Sequence, residues 1–109
     1  MATSYKVLGQ SAPSATTNTD VYTVPSATEA VISTIVIANR AATAGTFRLA
    51  VRPNGEAIAD QHYLAYDVAI AANDSTTLTL GLTLDATDVI TFYASSANMS
   101  INVSGSEIS

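Results

Sequence analysis

The sequence predicts an all-β chain folded as a single two-sheet antiparallel β-sandwich with an N-terminal arm. Three observations predict it. Apolar and polar residues alternate with a period of two along most of the chain. Turn-forming clusters break that alternation at intervals of about 8 to 12 residues. No window of about eleven residues carries the apolar stripe that an amphipathic helix needs. Spacing alone leaves an immunoglobulin-like and a jelly-roll topology both open.

The elements follow in order. Tyr5 to Leu8 reads as a short strand, and Gly9 to Thr19 (GQSAPSATTNT) as a flexible arm, because it is small, polar and without apolar periodicity. The strand can then fold back onto its own sheet or extend onto a neighbouring subunit. On this reading residues 1–19 form strand and arm, and 20–109 the sandwich. Val21 to Val24 is the next strand. In Val31 to Ala38, strict alternation puts Val31, Ile35 and Ile37 on one face and Ile32, Val36 and Ala38 on the other. Both faces are apolar, so this strand is central or covered by another subunit. Phe47, Leu49 and Val51 alternate with Thr46, Arg48, Ala50 and Arg52 in a half-buried strand. Arg52-Pro53-Asn54-Gly55 forms a tight turn, and Gly55 to Tyr63 has room for one helical turn. A strand over Tyr63 to Ile70 follows, then a turn at Ala72-Asn73-Asp74-Ser75. Thr77 to Leu84 alternates throughout and reads as one strand, with four leucines on one face and three threonines on the other. Val89 to Ala94 and Met99 to Ser104 complete the set. Ala41 to Gly45 and Asp85 to Asp88 supply further turns.

Charge excludes several functions. Nine carboxylates face four basic residues, Lys6, Arg40, Arg48 and Arg52, so the clustered cations that release counterions from a phosphate backbone are missing. Nucleic acid is not an expected partner. Charged residues make up 12% of the chain against about 25% in an ordinary soluble domain. Ser, Thr and Ala replace them, giving a surface that loses little when it leaves water. There is no cysteine, hence no disulfide, thiolate metal site or cysteine nucleophile. Met1 to Gln10 lacks the charged-then-apolar pattern of a secretory signal. The apolar run Ala30 to Ala38 is far short of the roughly 20 residues that cross a bilayer, so no membrane is expected. The N-x-S/T tripeptides at Asn73, Asn98 and Asn102 read as accidents of a Ser/Thr-rich sequence.

Candidate chemistry is sparse. His62 is the single histidine, with Asp60 and Asp67 near it in sequence, but no G-x-S-x-G elbow supplies a nucleophile. The serines around Gly105 sit in a tail, Ser104-Gly105-Ser106-Glu107, without strand-to-helix context. Asp74, Asp85 and Asp88 lie in loops but lack the D-x-[DN]-x-[DN]-G spacing of a calcium site, and Asp85 and Asp88 read as turn-formers. Tyr22, Tyr63, Tyr66 and Tyr93 can line a ligand platform or pack a sheet. The expectation is a non-enzyme without cofactor or metal. Its candidate contact residues are Tyr5, Lys6, Val7 and Leu8 on the first strand, Val36 on the two-sided strand, and Tyr63 and Tyr66.

Several segments together carry a resemblance. They are Asp20-Val21-Tyr22-Thr23-Val24-Pro25, Val31 through Arg40, Thr46 through Val51, Gln61 through Asp67, the leucine–threonine run ending at Asp88-Val89-Ile90, and Gly105-Ser106-Glu107-Ile108. In this order they resemble small virion structural proteins of tailed bacteriophages, including phages of cyanobacteria. The resemblance runs from Val21 to Ile108, leaving the Gly9 to Thr19 arm outside. It implies a β-sandwich subunit of the virion, assembled in the host cytoplasm. The subunit sits on the head as a decoration (cement) protein or belongs to the tail. The implied partners are the major capsid protein or other virion proteins and further copies of itself. A host-glycan binding module is the remaining alternative.

Overall fold

The computed structural model describes residues 2–109. The described residues form nine strands: β1 (Thr3–Ser11), β2 (Thr19–Thr23), β3 (Glu29–Asn39), β4 (Gly45–Arg52), β5 (Tyr63–Ile70), β6 (Ser75–Leu78), β7 (Leu82–Leu84), β8 (Val89–Ala94) and β9 (Met99–Ile108). They pair antiparallel into two sheets. One runs β1-β9-β3-β6, with β7 also on β3, and the other runs β2-β8-β4-β5. The predicted all-β sandwich is thereby seen as two antiparallel sheets with a shared core. Every connection except β4–β5 and β6–β7 passes from one sheet to the other.

Alternation explains the core. Phe47 and Leu49 of β4 and Ile90 and Phe92 of β8 point inward from one sheet; Ile32, Ile35 and Ile37 of β3 and Ile101 and Val103 of β9 meet them from the other. The rings of Phe47 and Phe92 lie 6.1 Å apart, tilted by 34°. At the end of β3 the buried Asn39 is fully partnered. Its amide donates to the carbonyls of Thr43, Ile70 and Ala71, and its oxygen accepts the Ala41 N–H. That side chain stands in for a stretch of ladder where the chain turns between sheets.

Three expectations need correction. The first concerns β3, whose buried residues are Ala30, Ile32, Ile35, Ile37 and Asn39. The register slips between Ile32 and Thr34, so one extra residue flips the phase and Val31 shares the outer face with Val36 and Ala38 rather than with Ile35 and Ile37. The second concerns Thr77 to Leu84, which is not one strand. β6 pairs Leu78 with Ile35, β7 pairs Leu82 with Ile32, and the four-residue step between them opposes a three-residue step on β3. Gly81, at φ 60°, lets the chain bulge there, and Leu80 is left 43% exposed.

The third concerns the N-terminus. β1 folds back on its own sheet and continues through Gly9, Gln10 and Ser11, opposite Val103, Asn102 and Ile101. Small polar residues hid the strand because their outward neighbours on β9 are also polar; the Gln10 amide donates to Asn102. The remaining crossover, residues 12–18, is fastened by buried Pro13 and by the Thr16 N–H donating to the Ala94 carbonyl at 2.8 Å. The last strand also runs past the expected Ser104, since β9 continues to Ile108.

The bulges converge. β1 slips between Val7 and Gly9, against Ser104, and β3 slips on the other side of the same serine. Beside it, Gly105 has no room for a side chain: a Cβ there would lie 2.0 Å from the Val31 carbonyl oxygen. Gly105→Ala is therefore expected to destabilise by at least the roughly 1–3 kcal/mol of an overpacked core. Phe92→Ala, which empties the centre, should cost about 3–5 kcal/mol. Urea unfolding of both variants measures these losses.

Candidate functional site

The residues grouped by sequence for catalysis do not converge. His62 is buried in a 3-10 turn (Asp60–His62). Its Nδ1 accepts the Ala59 N–H at 3.1 Å, and Nε2 lies 3.8 Å from Glu56, beyond hydrogen-bond distance. Asp67 is held by Arg48, with Oδ1 2.7 Å from Nε. The loop carboxylates are spent on turns: Asp88 accepts the N–H groups of Asn54 and Asp85, and Asp85 accepts that of Ala86. Among the described residues, no three His, Cys, Asp or Glu side chains cluster as metal ligands.

The two outer faces differ in kind. On the β2-β8-β4-β5 sheet the arginines are already engaged, while Leu64, Tyr66 and Val68 of β5 stay exposed. Arg52 donates to Thr91, to Asp20 at 2.8 Å, and to the carbonyls of Gly55 and Glu56. The chain between β4 and β5 thus lies against this face, with Ile58 beside Arg52 and Thr91. Ala50 and Thr91, an outward-facing pair, are buried as a result. Next to them the Arg48 guanidinium sits between two rings, 4.2 Å from Tyr66 and 4.3 Å from Tyr93. Tyr63 meets Tyr66 edge-on at 4.9 Å. The hydrogen bond to Asp67, opposed by partial desolvation, holds Arg48 above the usual guanidinium range.

Three of the four predicted tyrosines therefore gather, around an arginine rather than an open platform. Tyr22 is elsewhere and buried. Arg48 was not singled out from sequence, because its pairing with Tyr93 across β4 and β8 is a fact of register.

The β1-β9-β3 sheet presents the opposite. Tyr5 and Val7, 84% and 54% exposed, line a shallow depression with Val31, Ser33, Ser104 and Ser106. Val36 continues the face, opposite Asn102 and Thr77. From Val31 to Ala38 and across the partners of those residues, the outward side chains are Val, Ala, Ser, Thr, Asn, Gln and Tyr. Glu29 and Asp85 border it at one end and Arg40 and Asp74 at the other. The one charge lining the depression, Lys6, is paired with Glu107. Of the predicted contact residues, Tyr5, Val7 and Val36 share this face, Leu8 packs toward the core, and Tyr63 and Tyr66 belong to the opposite sheet.

No family model, curated protein or solved structure matches this chain. The surface chemistry therefore stands by itself.

Lys6, the remaining candidate contact residue, is ion-paired. Its Nζ lies 2.8 Å from Glu107 Oε1, while the Tyr22 hydroxyl donates to Glu107 Oε2 at 2.6 Å. One carboxylate thus ties β1 to β9 and to β2 of the other sheet. The hydrogen bonds from Lys6 and then Tyr22 hold Glu107 below the usual carboxylate range. Burial, and then the Glu107 contact, push the Tyr22 phenol well above its ordinary value. The signs are opposite. Glu107 contributes stability that is present above its ordinary pKa of 4.5 and is lost as pH falls through its lowered folded value. Tyr22 contributes stability that is present below 10.0 and is lost as pH rises beyond it. Thermal melts should show Glu107→Gln losing less stability than wild type below pH 4.5. Tyr22→Phe should lose less above pH 10.0.

Proposed function

We propose that this chain is a structural protein of a tailed-bacteriophage virion, a decoration or cement subunit that binds the head and stabilises it through protein–protein contacts. The observation that carries the reading is the uncharged outer face of the β1-β9-β3 sheet. Burying hydroxyls, amides, methyls and one tyrosine against another protein strands no ion, so the large desolvation penalty of a charged sheet surface is avoided. With strands about 4.8 Å apart and about 3.3 Å per residue along β3, the face covers roughly 600 Å². A standard interface takes about 800 Å² from each partner. Such a contact is modest singly and strong when a symmetric lattice repeats it.

The strand order supports the finer fold reading. In an immunoglobulin-like sandwich consecutive strands repeatedly lie side by side. Here β4 and β5 do so, while β6 and β7 act as one interrupted strand on β3, and the first and last strands are neighbours. That order favours a jelly roll, an architecture used by viral capsid and lectin domains. The sequence resemblance to phage virion proteins points the same way. The major capsid protein is the partner this reading names, and it assigns no catalytic residue. The glycan-binding alternative is weakened by the engagement of Tyr63, Tyr66 and Tyr93 with Arg48 and with one another.

The test is reconstitution. Purified protein added to undecorated capsids should sediment with them and raise the temperature at which they burst. Val36→Glu, which puts a carboxylate in the middle of the face, should reduce capsid binding at least tenfold without lowering the melting temperature of the free protein. Recovery of the chain only in tail fractions of disrupted particles would move the assignment to a tail, baseplate or fibre component.

A further inference from the structure

The two sheets have four edges, and three of them are blunted in ways that discourage pairing. β2 is five residues long and bulged. β5 is bulged twice, with Asp67 at φ 52° and tied to Arg48. The β6–β7 edge is interrupted between Leu78 and Leu82. β1 is the exception. From Thr3 to Val7 it is regular, has no proline, and carries one charge, Lys6, which is bonded to Glu107.

The ladder shows which peptide groups on this edge are free. Ala2 and Ser109 exchange both hydrogen bonds, N–H to carbonyl in each direction, at 2.7 and 2.9 Å. In an antiparallel pair such bonded positions alternate. Ser4 opposite Glu107 and Lys6 opposite Gly105 are then also bonded pairs. Thr3, Tyr5 and Val7 consequently aim both N–H and C=O away from β9, toward open space. These same residues carry the exposed side chains of the uncharged face.

We propose that β1 pairs with β1 of a second copy of this chain, antiparallel about a two-fold axis through Tyr5. In that register Tyr5 opposes Tyr5 of the partner subunit, and Thr3 and Val7 oppose the partner's Val7 and Thr3. All three outward-facing positions on each strand then gain both of their missing bonds. The pairing is self-complementary, as an isologous contact requires, and it makes one continuous sheet from two. Tyrosine and β-branched residues are also favourable cross-strand partners. Charge selects the same edge. Each chain has a formal net charge of −5, yet β1 carries no carboxylate and Glu107 beside it is neutralised by Lys6. Two acidic molecules meet here with little repulsion. The pairing deepens the assembly reading above by supplying the self-associating unit, but its geometry does not depend on which virion surface is bound.

Sedimentation equilibrium of the full chain should show a concentration-dependent species of twice the 11.2 kDa monomer mass. Tyr5→Pro deletes an amide pointing at the free edge and leaves the β9 ladder intact. It should weaken dimerisation at least tenfold with an unchanged circular dichroism spectrum. Should that variant fail to fold, cross-linking decides. The chain has no cysteine, and across the proposed axis Tyr5→Cys brings two thiols within disulfide range. Its oxidation to a covalent dimer should run at least tenfold faster than that of Leu80→Cys on the opposite edge. A wild-type monomer at millimolar concentration, or equal cross-linking from both cysteine variants, would overturn the pairing. A monomer that still decorates capsids would leave the assembly reading standing. A β1-paired dimer that leaves capsids bare would remove that reading and keep the pairing.

Discussion

The contact on which the rest of the molecule depends is the meeting of Phe47, Leu49, Ile90 and Phe92 with Ile32, Ile35, Ile37 and Ile101 between the two sheets. With no cysteine in the chain and no α-helix among the described residues, this layer is the main source of stability. Each strand must therefore keep one side dry along its whole length. Strands twist and the sheet bends, so a strictly alternating strand cannot do this everywhere. The chain meets the problem with bulges that let a strand change phase without changing sheet.

Those bulges concentrate beside Ser104. β1 slips on one side of it and β3 on the other, and Gly105 leaves the space that their close approach requires. The slip in β3 has a consequence for the surface. It sends Ile32 and Ile35, three residues apart, into the same core, and leaves Val31, Ser33, Thr34 and Val36 outside. The composition of the uncharged face is thus a by-product of the device that keeps the core continuous. Arg48, Arg52, Asp20 and Asp67 are drawn instead to the other sheet, where they bond one another, the neighbouring rings and the chain between β4 and β5.

The two faces divide the work. One has its arginines paired and a loop laid across it, with Leu64, Tyr66 and Val68 exposed along its β5 edge. The other is open, neutral and bordered by an edge whose peptide groups at Thr3, Tyr5 and Val7 have no partner. The Lys6–Glu107–Tyr22 contact keeps that edge in place by holding β1 against both sheets, which leaves its free side regular enough to receive another strand.

The sequence by itself determined the all-β class, the position of most strands and the turn at Pro53-Asn54-Gly55. These are local properties: alternation, turn chemistry and composition act over a few residues and need no partner to be read. Tertiary structure decided everything that depends on pairing. The phase of β3, the break at Gly81, the strand character of Gly9 to Ser11, and the gathering of Arg48 with Tyr66 and Tyr93 all follow from register. Register is set by strands as far apart in sequence as β1 and β9, and no short window of residues contains it.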